Sequence, residues 1–241
     1  MLGSGRNWKS FAKKFIQMAE KVTGSPRRAL LVDIRCHGNS SGKEGLERPH
    51  NMESAAKDFV RTIEWELSRL KGSRLEGLCG HSLGGKVVMQ YLRQVQLKAE
   101  EKGGEENISI SSANSSSRNV LTPSLTWVLD SVPTAIEDGN TLVSDTESII
   151  SRVSKVPLET FHSQSEVMSH LQDIGLSTPI AMWICSSLAK ERRREKGGED
   201  AHQTLRWKFN VEGASSLFQS FKETSCMEVL ENPPRGTKIH M

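Results

Sequence analysis

Apolar residues Trp8, Phe11, Phe15, Met18 and Val22 recur three and four positions apart with lysines and Glu20 between them. That spacing predicts an amphipathic helix over residues 8–22, which Gly24 and Pro26 then stop. The run A-L-L-V-D-I at 29–34 is short, apolar and β-branched, as a buried parallel strand would be. Ala56, Phe59, Val60, Ile63, Leu67 and Leu70 form the stripe of a second helix, about 54–70, that packs on the sheet. L-E-G-L-C at 75–79 reads as a strand, and K-V-V-M-Q-Y-L-R-Q-V continues from the following turn as a helix to about residue 98. S-L-T-W-V-L-D at 124–130 is a further strand. Strands alternating with helices predict an α/β fold, a mostly parallel sheet flanked by helices.

The rhythm changes in the second half. Helical patterns at about 141–154, 163–173, 178–192 and 213–223 follow one another without strands. They predict a helical cap over 134–235, covering the C-terminal edge of the sheet, where α/β proteins place their sites. The α/β core is then residues 1–133. Two polar stretches interrupt the plan. Residues 98–119, KAEEKGGEENISISSANSSSRN, read as a flexible surface insertion, and AKERRREKGGEDAHQ at 189–203 reads as a solvated helix end running into a loop.

Composition narrows the function classes. With 36% apolar and 25% charged residues over 241 positions, the chain can bury one α/β core. A net charge of +3 does not argue for a nucleic-acid partner, and no apolar run reaches the length of a membrane span. The four cysteines, Cys36, Cys79, Cys185 and Cys226, lie far apart with no CxxC spacing. This fits reduced intracellular thiols better than disulfides or zinc.

The candidate chemistry sits at G-H-S-L-G, residues 80–84. Glycines two positions either side of a serine, with a strand before and a helix after, can hold Ser82 on a tight turn with its hydroxyl exposed. Such a serine needs a base, an acid to orient the base, and backbone N–H groups for the oxyanion. The Leu83 N–H would supply one of these donors. The bland alternative is a glycine-rich turn with an incidental serine. No cofactor is expected: G-L-C-G-H-S-L-G-G-K has neither the G-x-G-x-x-G spacing nor the G-K-[ST] ending of phosphate-binding loops, and no metal-ligand constellation stands out.

Five blocks in order carry a resemblance: G-S-G-R-N-W at 3–8, L-V-D-I-R-C-H-G-N-S at 31–40, G-H-S-L-G-G-K at 80–86, L-D-S-V-P at 129–133 and R-W-K-F-N-V-E-G at 206–213. Together they resemble the α/β-hydrolases of the group around α/β-hydrolase domain-containing protein 11, particularly its plant and algal members. The resemblance covers nearly the whole chain apart from 98–119. It implies an α/β-hydrolase fold and a serine esterase or lipase-like activity on acyl esters, through an acyl-enzyme at Ser82. A small-molecule acyl ester or lipid is the implied partner; the expected location is intracellular, a mitochondrion or plastid by the resemblance and the cytoplasm otherwise.

Asp130 closes the strand after the Ser82 helix and matches the D-x-x-P position that holds the acid in bacterial relatives, so it is the implied catalytic acid; a turn or helix-capping aspartate is the alternative. Glu212 in N-V-E-G is a weaker candidate. His37 matches a loop that is structural in the group. In the group a strand ending in His-Gly precedes G-S-G-R-N-W, and T-K-I-H-M at 237–241 matches the start of a core strand, with the catalytic histidine beyond it. By that resemblance the chain is incomplete at both ends, 236–241 begins a further core strand, and the base lies outside these residues. The competing reading is a short form that lacks a base and acts as a binding or regulatory protein.

Overall fold

The computed structural model describes residues 2–70, 72–105, 121–137, 139–194 and 201–241. In chain order the elements are α1 (Lys9–Thr23), α2 (Met52–Arg69), β1 (Gly77–His81), α3 (Leu83–Glu105), β2 (Leu125–Leu129), α4 (Thr141–Ser154), α5 (Gln164–Asp173), α6 (Thr178–Cys185), β3 (Leu188–Arg194), β4 (Ala201–Trp207), α7 (Val211–Glu223), α8 (Met227–Glu231) and β5 (Lys238–His240). They fall into two compact units. One comprises Pro49–Asn140 with Ser216–Met241, the other Leu2–Arg48 with Thr141–Ser215.

The first unit holds a parallel sheet in the order β1-β2-β5, with Gly77 opposite Leu125 and Leu125 opposite Lys238. Along β1 burial alternates, so Leu78 and Gly80 face inward. Leu78 joins a core with Val60 and Ile63 of α2 and Val88, Tyr91, Leu92 and Val95 of α3. Helix α2 thus packs Val60 and Ile63 against α3 as well as the sheet, and its Ala56 is buried too. Its N-terminus is capped by Asn51, whose Oδ1 accepts the Ser54 N–H at 2.8 Å, satisfying a donor that the helix itself cannot pair. The strand at β1 starts and ends two residues later than the hydrophobic run suggested. Helix α3 runs to Glu105, so residues 98–105 of the expected flexible insertion are helical, and 106–119 lie outside the described residues.

In the second unit, α1 ends where expected, at Gly24, which adopts φ +66° and donates its N–H to the Glu20 carbonyl at 2.8 Å. The expected strand at 29–34 does not form. Leu30 and Leu31 are exposed, and no strand pairs with this segment among the described residues. An apolar run becomes a strand only when a neighbour takes its backbone hydrogen bonds. Here Asp33 fixes the segment instead, its Oδ1 accepting the Gly5 N–H at 2.7 Å and its Oδ2 the Asn39 N–H at 2.8 Å. The carboxylate lies against Gly38, where a Cβ would collide with it.

A second correction concerns 178–203. The helical pattern over 178–192 stops at Cys185, and 188–194 and 201–207 form an antiparallel hairpin, Leu188 opposite Trp207. The A-K-E-R-R-R stretch has helix-forming residues, but pairing with β4 overrides that weak preference. The Lys208 N–H, donating to the Ser187 carbonyl at 2.7 Å, and the stacked Trp207–Phe209 rings at 5.2 Å anchor its base. Helices α4 and α5 form as the spacing predicts. Arg152 of α4 donates to the Ile174 and Gly175 carbonyls just past the end of α5.

Candidate active site

Strands β1 and β2 end in register, His81 opposite Leu129. The next residue on each, Ser82 and Asp130, leaves its strand with a left-handed backbone, φ +52° and +47°. A side chain there costs about 1–3 kcal/mol, and such strain persists only where the surroundings impose it. The Ser82 N–H donates to the Leu129 carbonyl at 2.9 Å, tying the turn to the end of β2, and the Ser82 carbonyl accepts the Gly85 N–H at 2.9 Å. Two glycines make the tight reversal possible. A Cβ on Gly80 would overlap the Gly84 carbonyl oxygen, and one on Gly85 would lie 2.5 Å from the Ser131 Cβ. Strand, turn and helix are thereby pressed together, with Ser82 partly exposed at the C-terminal edge of the parallel sheet and the first N–H groups of α3, beginning at Leu83, left without partners inside the helix.

Asp130 projects into solvent, its side chain 91% exposed, with Oδ2 3.7 Å from His81 Nε2. Among the described residues no hydrogen bond reaches the Ser82 hydroxyl. Ser82 and Asp130 therefore stand on adjacent strand ends, but the histidine beside Asp130 is the serine's own sequence neighbour. Glu212, in the other unit, pairs on the surface with Arg48 at 3.2 Å. His37 is buried, its Nδ1 3.0 Å from the Arg35 carbonyl. His240 lies on β5 with its ring 6.5 Å from that of Trp127, and His170 contacts Phe161 at 5.1 Å. Among the described residues no three His, Cys, Asp or Glu side chains gather as a metal site.

One residue of this region went unnoticed in the sequence reading. Lys86, in the first turns of α3, is fully buried. Its Nζ donates to the carbonyls of Phe221 at 2.6 Å, Thr224 at 2.7 Å and Thr134 at 2.8 Å, and stands 4.4 Å from the Phe221 ring centroid. Burial lowers its pKa to about 8, against a smaller opposing pull from Cys226. Nearby, Gln90 Nε2 donates to Cys226 Sγ at 3.4 Å, and burial pushes that thiol up. The ammonium ties the start of α3, the loop after Asp130 and the end of α7 into one piece. The signal was available: a lone lysine inside G-G-K-V-V-M, on a helix whose next several residues are all buried.

Neither a family model nor a curated protein matches the chain. Among solved structures, a marine microorganism esterase aligns over 92% of this chain at 18% identity with a TM-score of 0.57. The alignment spans 66% of that esterase. A crystal structure of an N-acyl homoserine lactonase with N-hexanoyl homoserine lactone bound aligns over 87% of this chain and 58% of its own length, at 11% identity and a TM-score of 0.42, too distant to carry an argument. The likeness to the esterase, together with the helix-flanked parallel sheet, shows an α/β-hydrolase fold.

Proposed function

We propose that the protein is a serine hydrolase acting on acyl esters, with Ser82 as nucleophile. The observation that carries this reading is the backbone of Ser82: a non-glycine residue held at φ +52° between a parallel strand and a helix, with Gly80 and Gly84 in contact beneath it. That is the conformation a nucleophile elbow requires. Ser82 Oγ attacks the acyl carbonyl, its proton passes through the base to the departing alcohol, and water then releases the acid from the acyl-enzyme. The Leu83 N–H is one oxyanion donor, Asp130 the acid and Glu212 the weaker alternative. No described histidine is assigned as the base. The esterase of like fold agrees with the acyl-ester class.

A second reading, a binding or regulatory protein without a working triad, is favoured by the Ser82 hydroxyl having no hydrogen-bonded base among the described residues. Intact-mass labelling with a fluorophosphonate probe separates the two. On the catalytic reading, a chain extended in frame at both ends gains one adduct that Ser82→Ala loses. An extended chain that stays unlabelled selects the binding protein.

A further inference from the structure

Asp130 keeps its left-handed backbone, φ +47°, between two fixed neighbours. On one side it follows β2, whose Leu129 carbonyl accepts the Ser82 N–H at 2.9 Å. On the other side Ser131 packs its Cβ where a side chain on Gly85 would stand, and its hydroxyl has no hydrogen-bond partner among the described residues. Backbone groups hold the 131–136 segment instead. The Pro133 carbonyl accepts the Cys226 N–H at 2.7 Å, the Ile136 N–H donates to the Lys222 carbonyl at 2.8 Å, and the Thr134 carbonyl accepts Lys86 Nζ at 2.8 Å.

Two of these bonds join the segment to residues 222–226. Lys86 joins both to α3, the helix that opens directly after Ser82. Its ammonium also donates to the Phe221 and Thr224 carbonyls at 2.6 and 2.7 Å, and no other side chain aims three N–H donors from a single atom. The placement breaks two local rules. Lys86 is fully buried, which disfavours its charge, and it lies three positions after Leu83, near the helix end where the dipole disfavours a cation. Residues that break local rules in this way collect at functional sites.

We propose that Lys86 is a positioning residue for acyl transfer. It fastens the 131–136 segment to the helix behind Ser82 and so fixes where Asp130 stands beside the nucleophile. The inference rests on reading Ser82 as the nucleophile and Asp130 as the acid. Lys86 touches no reacting atom and acts through Asp130, whose carboxylate is exposed and meets only His81, at 3.7 Å, among the described residues. The backbone around Asp130, rather than contacts of the carboxylate itself, therefore sets its place.

The test is a double-mutant cycle on the chain extended in frame at both ends, read as the rate of fluorophosphonate labelling with Ser82→Ala as the blank. Lys86→Met should slow the maximal labelling rate about 100-fold, the cost of misplacing a catalytic group by about 1 Å. The probe concentration that gives half the maximal rate should stay within about threefold, since binding does not use Asp130. Lys86→Gln keeps two N–H donors on a shorter, uncharged stem and should lose about tenfold; it carries the test if Lys86→Met does not fold. In an Asp130→Asn background either change should cost less than about threefold, because the group being positioned is already gone. A general loss of stability would slow both backgrounds alike, so equal losses in the two overturn the proposal. So does a Lys86 variant that labels at the wild-type rate, or one whose defect lies in probe binding. A wild type that never labels sinks the reading of Ser82 and this inference with it, whereas a wild type that labels beside equally fast Lys86 variants sinks the inference alone.

Discussion

Lys86→Met tests whether the buried ammonium holds the site region together. Methionine keeps the length of the stem but removes the donors from three carbonyls now 2.6–2.8 Å away. A buried acceptor left unpaired costs about 1–3 kcal/mol, so three cost about 6 kcal/mol. Against this, the wild type bears the penalty of a desolvated charge. A pKa lowered from 10.5 to about 8 corresponds to about 3 kcal/mol, which methionine recovers. The net expectation is a loss of about 3 kcal/mol at pH 7, read as a urea midpoint lower by about 1 M if the slope is about 3 kcal/mol per M. Tryptophan fluorescence can follow the transition. The pH arm has a definite sign. Because the folded pKa lies below the unfolded one, the folded protein gives up its proton first, and wild-type stability rises relative to the variant between pH 8 and 10.5. The gap should widen there by up to about 1.4 kcal/mol per pH unit. Cys226, whose charge couples to Lys86, is controlled by repeating the comparison in a Cys226→Ala background. A variant within about 0.5 kcal/mol of wild type at pH 7, or a gap that narrows above pH 8, refutes the reasoning.

Other substitutions probe the turn directly. Ser82→Gly removes the strain of φ +52° and should raise the melting temperature by about 3 °C, a gain of about 1 kcal/mol; no change would mean the turn is unstrained. Gly85→Ala places a Cβ 2.5 Å from Ser131 and 3.1 Å from Val128 and should destabilise by about 2 kcal/mol. Gly42→Ala, with nothing within 4 Å, should stay within about 0.5 kcal/mol by the same denaturation assay. Asp130→Asn removes only an exposed 3.7 Å pair, so stability should hold within about 0.5 kcal/mol. Fluorophosphonate labelling of the extended chain should nevertheless fall by about ten-thousandfold if Asp130 is the acid. With a thiol reagent under native conditions, Cys79 alone should react quickly, because Cys36, Cys185 and Cys226 are buried.

The first unit was largely legible because its signals are local. The stripe of α2, the run before Ser82 and the two glycines around it each fix their own backbone, and β2 followed from S-L-T-W-V-L-D. What failed depended on distant partners. A-L-L-V-D-I has the composition of a strand but finds no ladder neighbour among the described residues. A-K-E-R-R-R has that of a helix but is captured by a segment thirteen residues on, Glu191 opposite Thr204. The glycines announced the tight turn at Ser82, whereas the burial of Lys86 was invisible to periodicity because its three acceptors come from residues 134, 221 and 224.

The order β1-β2-β5 also sets an order of events in folding. Leu125 is 48 residues from its partner Gly77 on one side and 113 from Lys238 on the other. Closing the longer loop costs about 0.8 kcal/mol more in chain entropy, and β5 repays it with only three paired residues. The β1–β2 pair should therefore assemble first, carrying the Ser82 turn with it, and β5 should dock last and open first. On the ribosome, the far edge of β2 then waits unpaired through the synthesis of more than a hundred residues, a window in which a chaperone or another nascent chain can reach it.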